Sequence, residues 1–140
     1  MTARFGAAHY EMSVVGRGDI LYTFFASGPF TLNRAENVRL LLVGGGGAAG
    51  YDCSGGGGGG GMIDTNIVKL ASGVYTVTVG NGGVGYAGTS GIGSNGGNSV
   101  FALGETALFT ALGGGGGASF NLKIAVEVNG ALARQPKLAG

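Results

Sequence analysis

The sequence predicts an all-β protein: a β-sandwich or barrel-like framework with glycine-rich loops that pack as polyglycine II helices. Three observations lead to this prediction. Short apolar runs with strand-type alternation recur along the chain, with turn signals between them. No amphipathic stretch of about twelve residues, which a core helix would need, is found. Glycine supplies 34 of the 140 residues, and 28 of the 34 lie between Gly44 and Gly117.

The first predicted strands flank a turn. Ile20–Phe25 is rich in β-forming residues and ends at the turn signal Ala26-Ser27-Gly28. Further apolar runs of strand type are Pro29–Leu32, Val38–Val43 and Met62–Leu70. The second of these runs leads directly into the glycines 44–47, and the third follows the glycines 55–61. The glycine runs therefore join strands inside one domain, whereas a linker would join two domains.

Alternation is clearest in the second half of the chain. In Val74–Val79 every second residue is a large apolar one, so Tyr75, Val77 and Val79 are expected on one face. Shorter candidates are Ser99–Leu103 and Thr106–Leu112. Phe120–Val128 alternates over nine residues, and Asn129-Gly130 then predicts a type I′ hairpin.

The glycine runs are predicted to be ordered. A run without side chains can adopt the extended helix with three residues per turn, and several such helices can pack backbone to backbone. Glycine recurs at every third position in Gly82, Gly85, Gly88 and Gly91. These four residues would lie on one edge of a three-fold helix, and we expect that edge to approach a neighbour closely. Mobile loops are the alternative.

Composition narrows the classes of partner. Charged residues make up 11% of the chain and the net charge is +1, so copies of the chain repel one another little. Together with the 44% of hydrophobic residues this predicts a homo-oligomer of closed rotational symmetry, and we expect a homotrimer. The eight basic residues are scattered, which argues against nucleic-acid binding. No apolar run approaches about 18 residues and no secretory signal opens the chain, so neither membrane insertion nor export is expected.

Two stretches imitate a dinucleotide-binding loop without its helix. Gly45-x-Gly47-x-x-Gly50 and Gly80-x-Gly82-x-x-Gly85 both follow a predicted strand. That motif needs a helix whose N-terminus faces the pyrophosphate. Both stretches continue instead into further glycine-rich sequence, so no cofactor is predicted.

The remaining chemical residue types are too sparse for catalysis. His9 is the only histidine and Cys53 the only cysteine, and no spacing between them is typical of a metal site or a nucleophile pair. Asp52 and Asp64 could flank a glycosidic bond, but turns on either side of the glycines 55–61 are the simpler interpretation. Arg17-Gly18-Asp19, an integrin-type tripeptide, is interpreted as a polar turn. The chain is therefore expected to be neither an enzyme nor a metalloprotein.

An ordered set of motifs resembles a known family. The motifs are Ser27–Leu32, Val38–Gly47, Gly73–Gly83, Gly96–Phe101 and Gly113–Gly117. Their order resembles the glycine-rich domain of tail and fibre proteins of tailed bacteriophages, over about Val14 to Ala118. In this view 1–13 is an N-terminal arm, 14–118 the family-like core and 119–140 a C-terminal hairpin or tail. A more distant likeness is to the glycine-rich extracellular domain of some receptor tyrosine kinases.

The resemblance implies a structural or binding protein on the virion surface, assembled in the host cytoplasm. It would be a receptor-binding tip of a tail fibre or a head-decorating or head-fibre protein, in contact with other virion proteins and with a host-surface glycan or outer-membrane protein. The alternative is a non-viral carbohydrate-binding or adhesion module. The predicted receptor contacts are Tyr51, Asp52, Tyr86 and Thr89, because tyrosine offers a large contact area with a polar tip. Alternatively, these tyrosines cover the edge of the core or a subunit interface.

Overall fold

A computed structural model describes residues 4–85, 91–119, 126–128 and 131–133. The described residues contain strands, turns and extended segments, and no helix, which confirms the predicted all-β class. In chain order the strands are β1 (Arg4–Ala7), β2 (Tyr10–Val15), β3 (Asp19–Phe24), β4 (Gly28–Leu32), β5 (Glu36–Val38), β6 (Leu41–Val43), β7 (Met62–Asp64), β8 (Val68–Leu70), β9 (Gly73–Thr78), β10 (Ser99–Leu103), β11 (Thr106–Ala111), β12 (Val126–Val128) and β13 (Ala131–Ala133).

One layer of the core is an antiparallel four-stranded sheet in the order β11-β10-β9-β4. The alternation predicted in β9 is confirmed, because Tyr75 and Val77 are buried while Thr76 and Thr78 are exposed. Tyr75 is 1% exposed and its hydroxyl donates to the Ala71 carbonyl at 2.8 Å, so its one polar atom is satisfied.

The second layer consists of two short antiparallel pairs, β5–β8 and β6–β7. Leu70 of β8 is buried with residues of the four-stranded sheet. Partly buried side chains from the second layer pack on the same cluster: Val38, Leu40, Leu42 and Val68. The arrangement is the expected sandwich-like framework, with a small apolar core between the two layers.

The predicted strands Val38–Val43 and Met62–Leu70 are each divided in two. At the break the backbone N–H of Leu40 donates to the Thr65 hydroxyl at 2.9 Å, and the Thr65 N–H donates back to the Leu40 carbonyl at 2.9 Å. A side-chain oxygen thus replaces a strand carbonyl at this point, and the pairing is interrupted. Apolar content alone did not reveal the break.

A three-stranded antiparallel sheet, β1-β2-β3, covers one edge of the core. The rings of Tyr10, Tyr22 and Phe24 surround Phe30 of β4 in edge-on arrangements, with centroids 4.7–6.1 Å away. Of the three strands in this sheet, only β3 is predicted by the sequence. In the C-terminal region, Val128 of β12 lies opposite Ala131 of β13, which confirms a hairpin with a two-residue connection. Residues 120–125, the first part of the predicted last strand, lie outside the described residues.

Five extended segments leave or enter the strands and together form what we call the glycine bundle. They are segment I (44–50), segment II (55–61), segment III (80–85), segment IV (91–97) and segment V (112–118). Hydrogen bonds between backbones connect them, and the donors recur at every third residue. Gly44, Gly47 and Gly50 of segment I donate to segment II, whereas Gly45 and Ala48 donate to segment IV. A three-residue period of this kind is the signature of packed three-fold helices, as predicted.

Segment I is the centre of the bundle. Segments II and IV run antiparallel to it and accept its N–H groups, and segment V runs parallel to it and donates to the carbonyls of Gly45 and Ala48. Segment III donates from Gly83 to the Gly46 carbonyl at 2.7 Å. Segment II also donates to segment V, and segment IV donates to segments III and V. The bundle is therefore a connected backbone network and not a set of separate loops.

Many glycines of the bundle have no room for a side chain. A Cβ at these positions would lie closer than 3.0 Å to backbone atoms of a neighbouring segment: Gly44, Gly45, Gly47, Gly50, Gly57, Gly60, Gly80, Gly83, Gly93, Gly96, Gly113, Gly114, Gly116 and Gly117. The expectation that the edge of Gly82 and Gly85 makes the close approach is wrong. A Cβ at Gly82 would have its nearest neighbour at 3.8 Å and one at Gly85 would meet nothing within 4 Å. Gly80 and Gly83 approach segment IV instead.

Segment II provides a matched test of this packing. A Cβ at Gly57 or Gly60 would collide with carbonyls of segment I, whereas one at Gly56 or Gly59 would meet nothing within 4 Å. We expect Gly57→Ala and Gly60→Ala each to lower the free energy of unfolding by about 1–3 kcal/mol, since backbone must shift to admit the methyl group. Gly56→Ala and Gly59→Ala should be neutral or stabilising by roughly 0.4–1 kcal/mol, because they restrict the unfolded chain.

Thermal melts of the four variants measure the difference. A loss of 1 kcal/mol corresponds to about 2–4 °C for a chain of this size, so the two pairs should separate clearly. If all four variants melt like the unmodified chain, the segments are not closely packed.

A candidate binding site at the far end of the glycine bundle

All five segments join strands at the same end of the bundle. Segments I, III and V follow β6, β9 and β11, and segments II and IV lead back into β7 and β10. At about 3.1 Å per residue, a seven-residue segment carries the chain roughly 19 Å away from the sandwich. The turn between segments I and II lies at this far end, and the strands define the near end.

The turn at 51–54 is tightly constructed. Asp52 and Cys53 have φ values of 46° and 41°, in the left-handed region that aspartate adopts more readily than most residues. The Ser54 hydroxyl donates to the Gly50 carbonyl at 2.7 Å and so closes the turn. The N–H of Tyr51 donates to the Gly91 carbonyl at 3.2 Å, which ties the turn to the start of segment IV. The predicted turn-making role of Asp52 is confirmed.

Side chains suited to contact with a partner project from this end. Tyr51 is 38% exposed, and Asp52 and Cys53 are exposed beside it. Two apolar residues at the same end were not identified from the sequence: Val84 is 76% exposed and Ile92 is 49% exposed. Large apolar side chains inside a glycine-rich region were the signal that could have identified them.

The two other predicted contact residues, Tyr86 and Thr89, lie outside the described residues. They fall in the chain between Gly85 of segment III and Gly91 of segment IV. Those two segments are held together near their far ends by Ser94, whose hydroxyl accepts from the Val84 N–H at 2.6 Å and whose N–H donates to the Val84 carbonyl at 3.1 Å. The grouping of Tyr51 with Tyr86 stays a prediction.

The outward side of segment V is bound by side chains. Asn95 and Asn98, three residues apart on segment IV, accept from the N–H groups of Gly116 and Gly113, each at 2.9 Å. The three-residue spacing of Asn95 and Asn98 equals the period of the bundle. Their side-chain oxygens therefore accept hydrogen bonds that the carbonyls of a further glycine segment would otherwise accept.

The two aspartates considered as a catalytic pair lie at opposite ends of segment II. Asp64 is in β7 and receives two hydrogen bonds from the Arg39 guanidinium, at 2.8 and 2.6 Å, which lower the pKa of its carboxyl group. Its predicted turn-making role is therefore wrong, because the ion pair holds it within a strand. Asp52 lies beyond the far end of segment II, so the length of that segment, roughly 19 Å, lies between the two aspartates.

His9 has a structural position. Its Nε2 donates to the Pro29 carbonyl at 2.7 Å, and its ring lies so close to Gly28 that a Cβ there would collide with it. The ring therefore connects the N-terminal sheet to β4. Within the described ranges, no group of three or more histidine, cysteine, aspartate and glutamate side chains could hold a metal ion.

The loops that imitate a dinucleotide site are segments I and III. Their glycines lie in extended backbone, and Gly47 donates its N–H to the Gly58 carbonyl at 2.8 Å. No helix follows either segment in the described part of the chain. The described residues also contain no helix that is long and apolar enough to cross a membrane.

Comparison with known proteins gives one match. A family model described as a glycine-rich domain matches residues 25–136, which include all five segments of the bundle and the strands from β4 to β13. The strands β1 to β3 lie before the matched region, because β3 ends at Phe24. No curated protein and no solved structure matches the chain.

The thiol of Cys53 reports on the far-end turn. A hydrogen bond to Asp52 and the negative charge of that carboxylate raise the pKa of Cys53, because both favour the protonated thiol. We expect the single cysteine to react with iodoacetamide more slowly at pH 8 than a free cysteine does, since less thiolate is present. Asp52→Asn should accelerate the reaction, and Asp19→Asn, remote from the turn, should not. Equal rates for all three proteins would contradict this geometry.

Proposed function

The chain belongs to the family of glycine-rich domains, and from this premise we propose that it is a non-enzymatic structural and binding protein on the surface of a tailed-phage virion. In this proposal it forms either the receptor-binding tip of a tail fibre or a decoration of the head. It is assembled in the host cytoplasm, contacts other virion proteins, and associates as an oligomer, with a homotrimer the state expected from the sequence.

The observation that supports a presenting role is the geometry of the glycine bundle. Backbone hydrogen bonds make the segments a spacer whose far turn is roughly 19 Å from the sandwich. Binding residues are commonly placed on loops that a rigid scaffold presents. The turn carries Tyr51 and Asp52, and the exposed Val84 and Ile92 accompany them. An exposed surface of mixed apolar, aromatic and acidic side chains suits a glycan or an outer-membrane protein.

The order of motifs supports the virion location. A strand before Ser27–Leu32, the strand-to-glycine junction at Val38–Gly47 and the junction at Gly73–Gly83 resemble the domain of phage tail and fibre proteins. In the structure each of these junctions is the point where a strand becomes a bundle segment. The framework and the presented turn are compatible with both the tail and the head position.

Location on the particle is the first test of the proposal. Mass spectrometry of washed, gradient-purified phage particles should detect the protein in stoichiometric amounts, and gold-labelled antibodies should place it on the tail or head. Its absence from particles, combined with binding of the purified chain to a glycan array, would contradict the virion proposal and favour a carbohydrate-binding or adhesion module.

Binding by the far-end turn gives the next prediction. Phage carrying Tyr51→Ala together with Tyr86→Ala should assemble normally and adsorb to host cells at least about tenfold more slowly, a loss typical of removing an aromatic interface anchor. The control is Ser72→Ala, an exposed residue at the sandwich end. Unchanged adsorption of correctly assembled double-mutant particles would remove the tyrosines from the receptor site and favour a decorating role.

A further inference from the structure

The three-stranded N-terminal sheet ends in a strand that is paired on one side only. The strand order is β1-β2-β3, and β2 is the one strand that pairs with β3 in the described part of the chain. The chain leaves β3 by turning back toward β2, because the N–H groups of Phe25 and Ala26 both donate to the His9 carbonyl. The other side of β3 is therefore an unpaired sheet edge.

The backbone groups on this edge follow from the register. His9 and Phe25 continue the pairing of β2 with β3, and the Phe25 N–H donates to the His9 carbonyl at 3.2 Å. Bonded pairs alternate along an antiparallel ladder, so the odd-numbered residues of β3 exchange hydrogen bonds with β2. The N–H and C=O groups of Ile20, Tyr22 and Phe24 point away from β2, and none of them makes a hydrogen bond to the described residues.

Other sheet edges of the molecule are protected in the usual ways, by short strands, proline, charge or cover. Strand β4 contains Pro29, the strands β5 to β8 have three residues each, and β11 lies against β6 and β7. Strand β3 has six residues without proline, lysine or arginine, and its one charged residue, Asp19, is the first. An edge of this kind is suited to pairing with a further strand.

The outer half of the β2–β3 hairpin is apolar on both faces of the sheet. Ile20 is 54% exposed and its cross-strand partner Val14 is 49% exposed on one face. Leu21, on the opposite face, is 48% exposed. Apolar side chains on both faces are typical of a strand with neighbours on both sides. The hairpin precedes the region that the family model matches, so this edge is additional to the matched domain.

We propose that β3 pairs antiparallel with β3 of a second copy of this chain, about a two-fold axis perpendicular to the sheet. With Leu21 opposite Leu21 of the other copy, Ile20 of each copy lies opposite Tyr22 of the other. These residues all direct N–H and C=O groups outward, so each such pair exchanges two hydrogen bonds and every donor meets an acceptor. The two N-terminal sheets become one continuous antiparallel sheet.

The side chains of β3 fit the same register. Asp19 of one copy lies opposite Thr23 of the other, so no like charges meet and the hydroxyl can donate to the carboxylate. The two Leu21 side chains form a non-hydrogen-bonded pair, in which side chains are closest. Ile20 opposite Tyr22 is a β-branched residue beside an aromatic one, a favourable cross-strand pair. A strand with the sequence of β3 therefore matches this edge in backbone bonding, charge and apolar contact.

The size of the contact sets the expected strength. Six residues at about 3.4 Å give a strand of about 20 Å, and a sheet about 10 Å thick then offers roughly 200 Å² per copy. This is well below the standard interface, so we expect a reversible dimer with a dissociation constant of about 100 µM or weaker. The inference does not depend on a virion location. It differs from the homotrimer expected from composition, because an antiparallel edge pairing closes on two copies.

Sedimentation of the full chain from about 1 µM to about 1 mM tests the proposal, and a dimer that grows with concentration is expected. Leu21→Lys and Leu21→Glu should each raise the dissociation constant at least about tenfold, because like charges would face each other across the two-fold axis. An equimolar mixture of the two variants should recover the dimer, since opposite charges then meet. The control is Val74→Lys, at a 56% exposed position of the inner strand β9, which should dimerise like the unmodified chain.

Hydrogen exchange of the unmodified chain supplies a second measurement. The amides of Ile20 and Tyr22 should become protected as concentration rises, whereas those of Leu21 and Thr23, which are bonded to β2, should not change. A monomer at the highest concentration, a trimer, a dimer that Leu21→Lys leaves intact, or a mixture of the two variants that stays monomeric would each overturn the proposal.

Discussion

Hydrogen bonding from backbone to backbone at every third residue is the interaction on which this structure depends. It places five segments so close together that a Cβ at most of their glycines would enter a neighbouring backbone. The strands determine this arrangement. The antiparallel pairing of β6 with β7, and of β10 with β9 and β11, places the attached segments beside each other in antiparallel directions. The far-end turn and the candidate contact residues are both consequences of how that network begins and where it stops.

The stability of such a bundle has a different origin from that of a side-chain core. Buried apolar side chains are few and belong to the sandwich: Phe30, Leu70, Tyr75, Val77 and Phe101. Ordering a glycine costs roughly 0.5–1 kcal/mol more than ordering alanine, and one net hydrogen bond returns a similar amount of about 0.5–1.5 kcal/mol. The bundle therefore depends on nearly complete pairing of its inner groups, which explains why Asn95 and Asn98 supply acceptors where no segment can.

The sequence predicted those parts of the fold that rest on local pattern. The alternation in β9 and the bounds of β10 follow from the two-residue period of a strand. The breaks at Leu40 and Thr65 could not be predicted, because a hydroxyl that replaces a ladder carbonyl does not change the hydropathy pattern of the strand.

The three-residue repeat predicted a three-fold helix correctly. It could not tell which of the three edges meets a neighbour, since that depends on segments distant in the chain, and Gly80 and Gly83 make the contact instead of Gly82 and Gly85. At the site, Tyr51 and Asp52 were found because they interrupt glycine, and Val84 and Ile92 were missed because the choice of contact residues favoured tyrosines and polar side chains.

The three-residue period of the bundle constrains which insertions and deletions its segments can accept. Inserting three codons into a segment adds one complete helical turn, about 9 Å, and returns every following residue to the same edge. Inserting one codon rotates all later residues by about a third of a turn, so side chains that faced outward, such as that of Val84, would be turned into a neighbouring backbone. Length variants of this domain should therefore differ by multiples of three residues within each segment, while the turns between segments remain free to vary by any number.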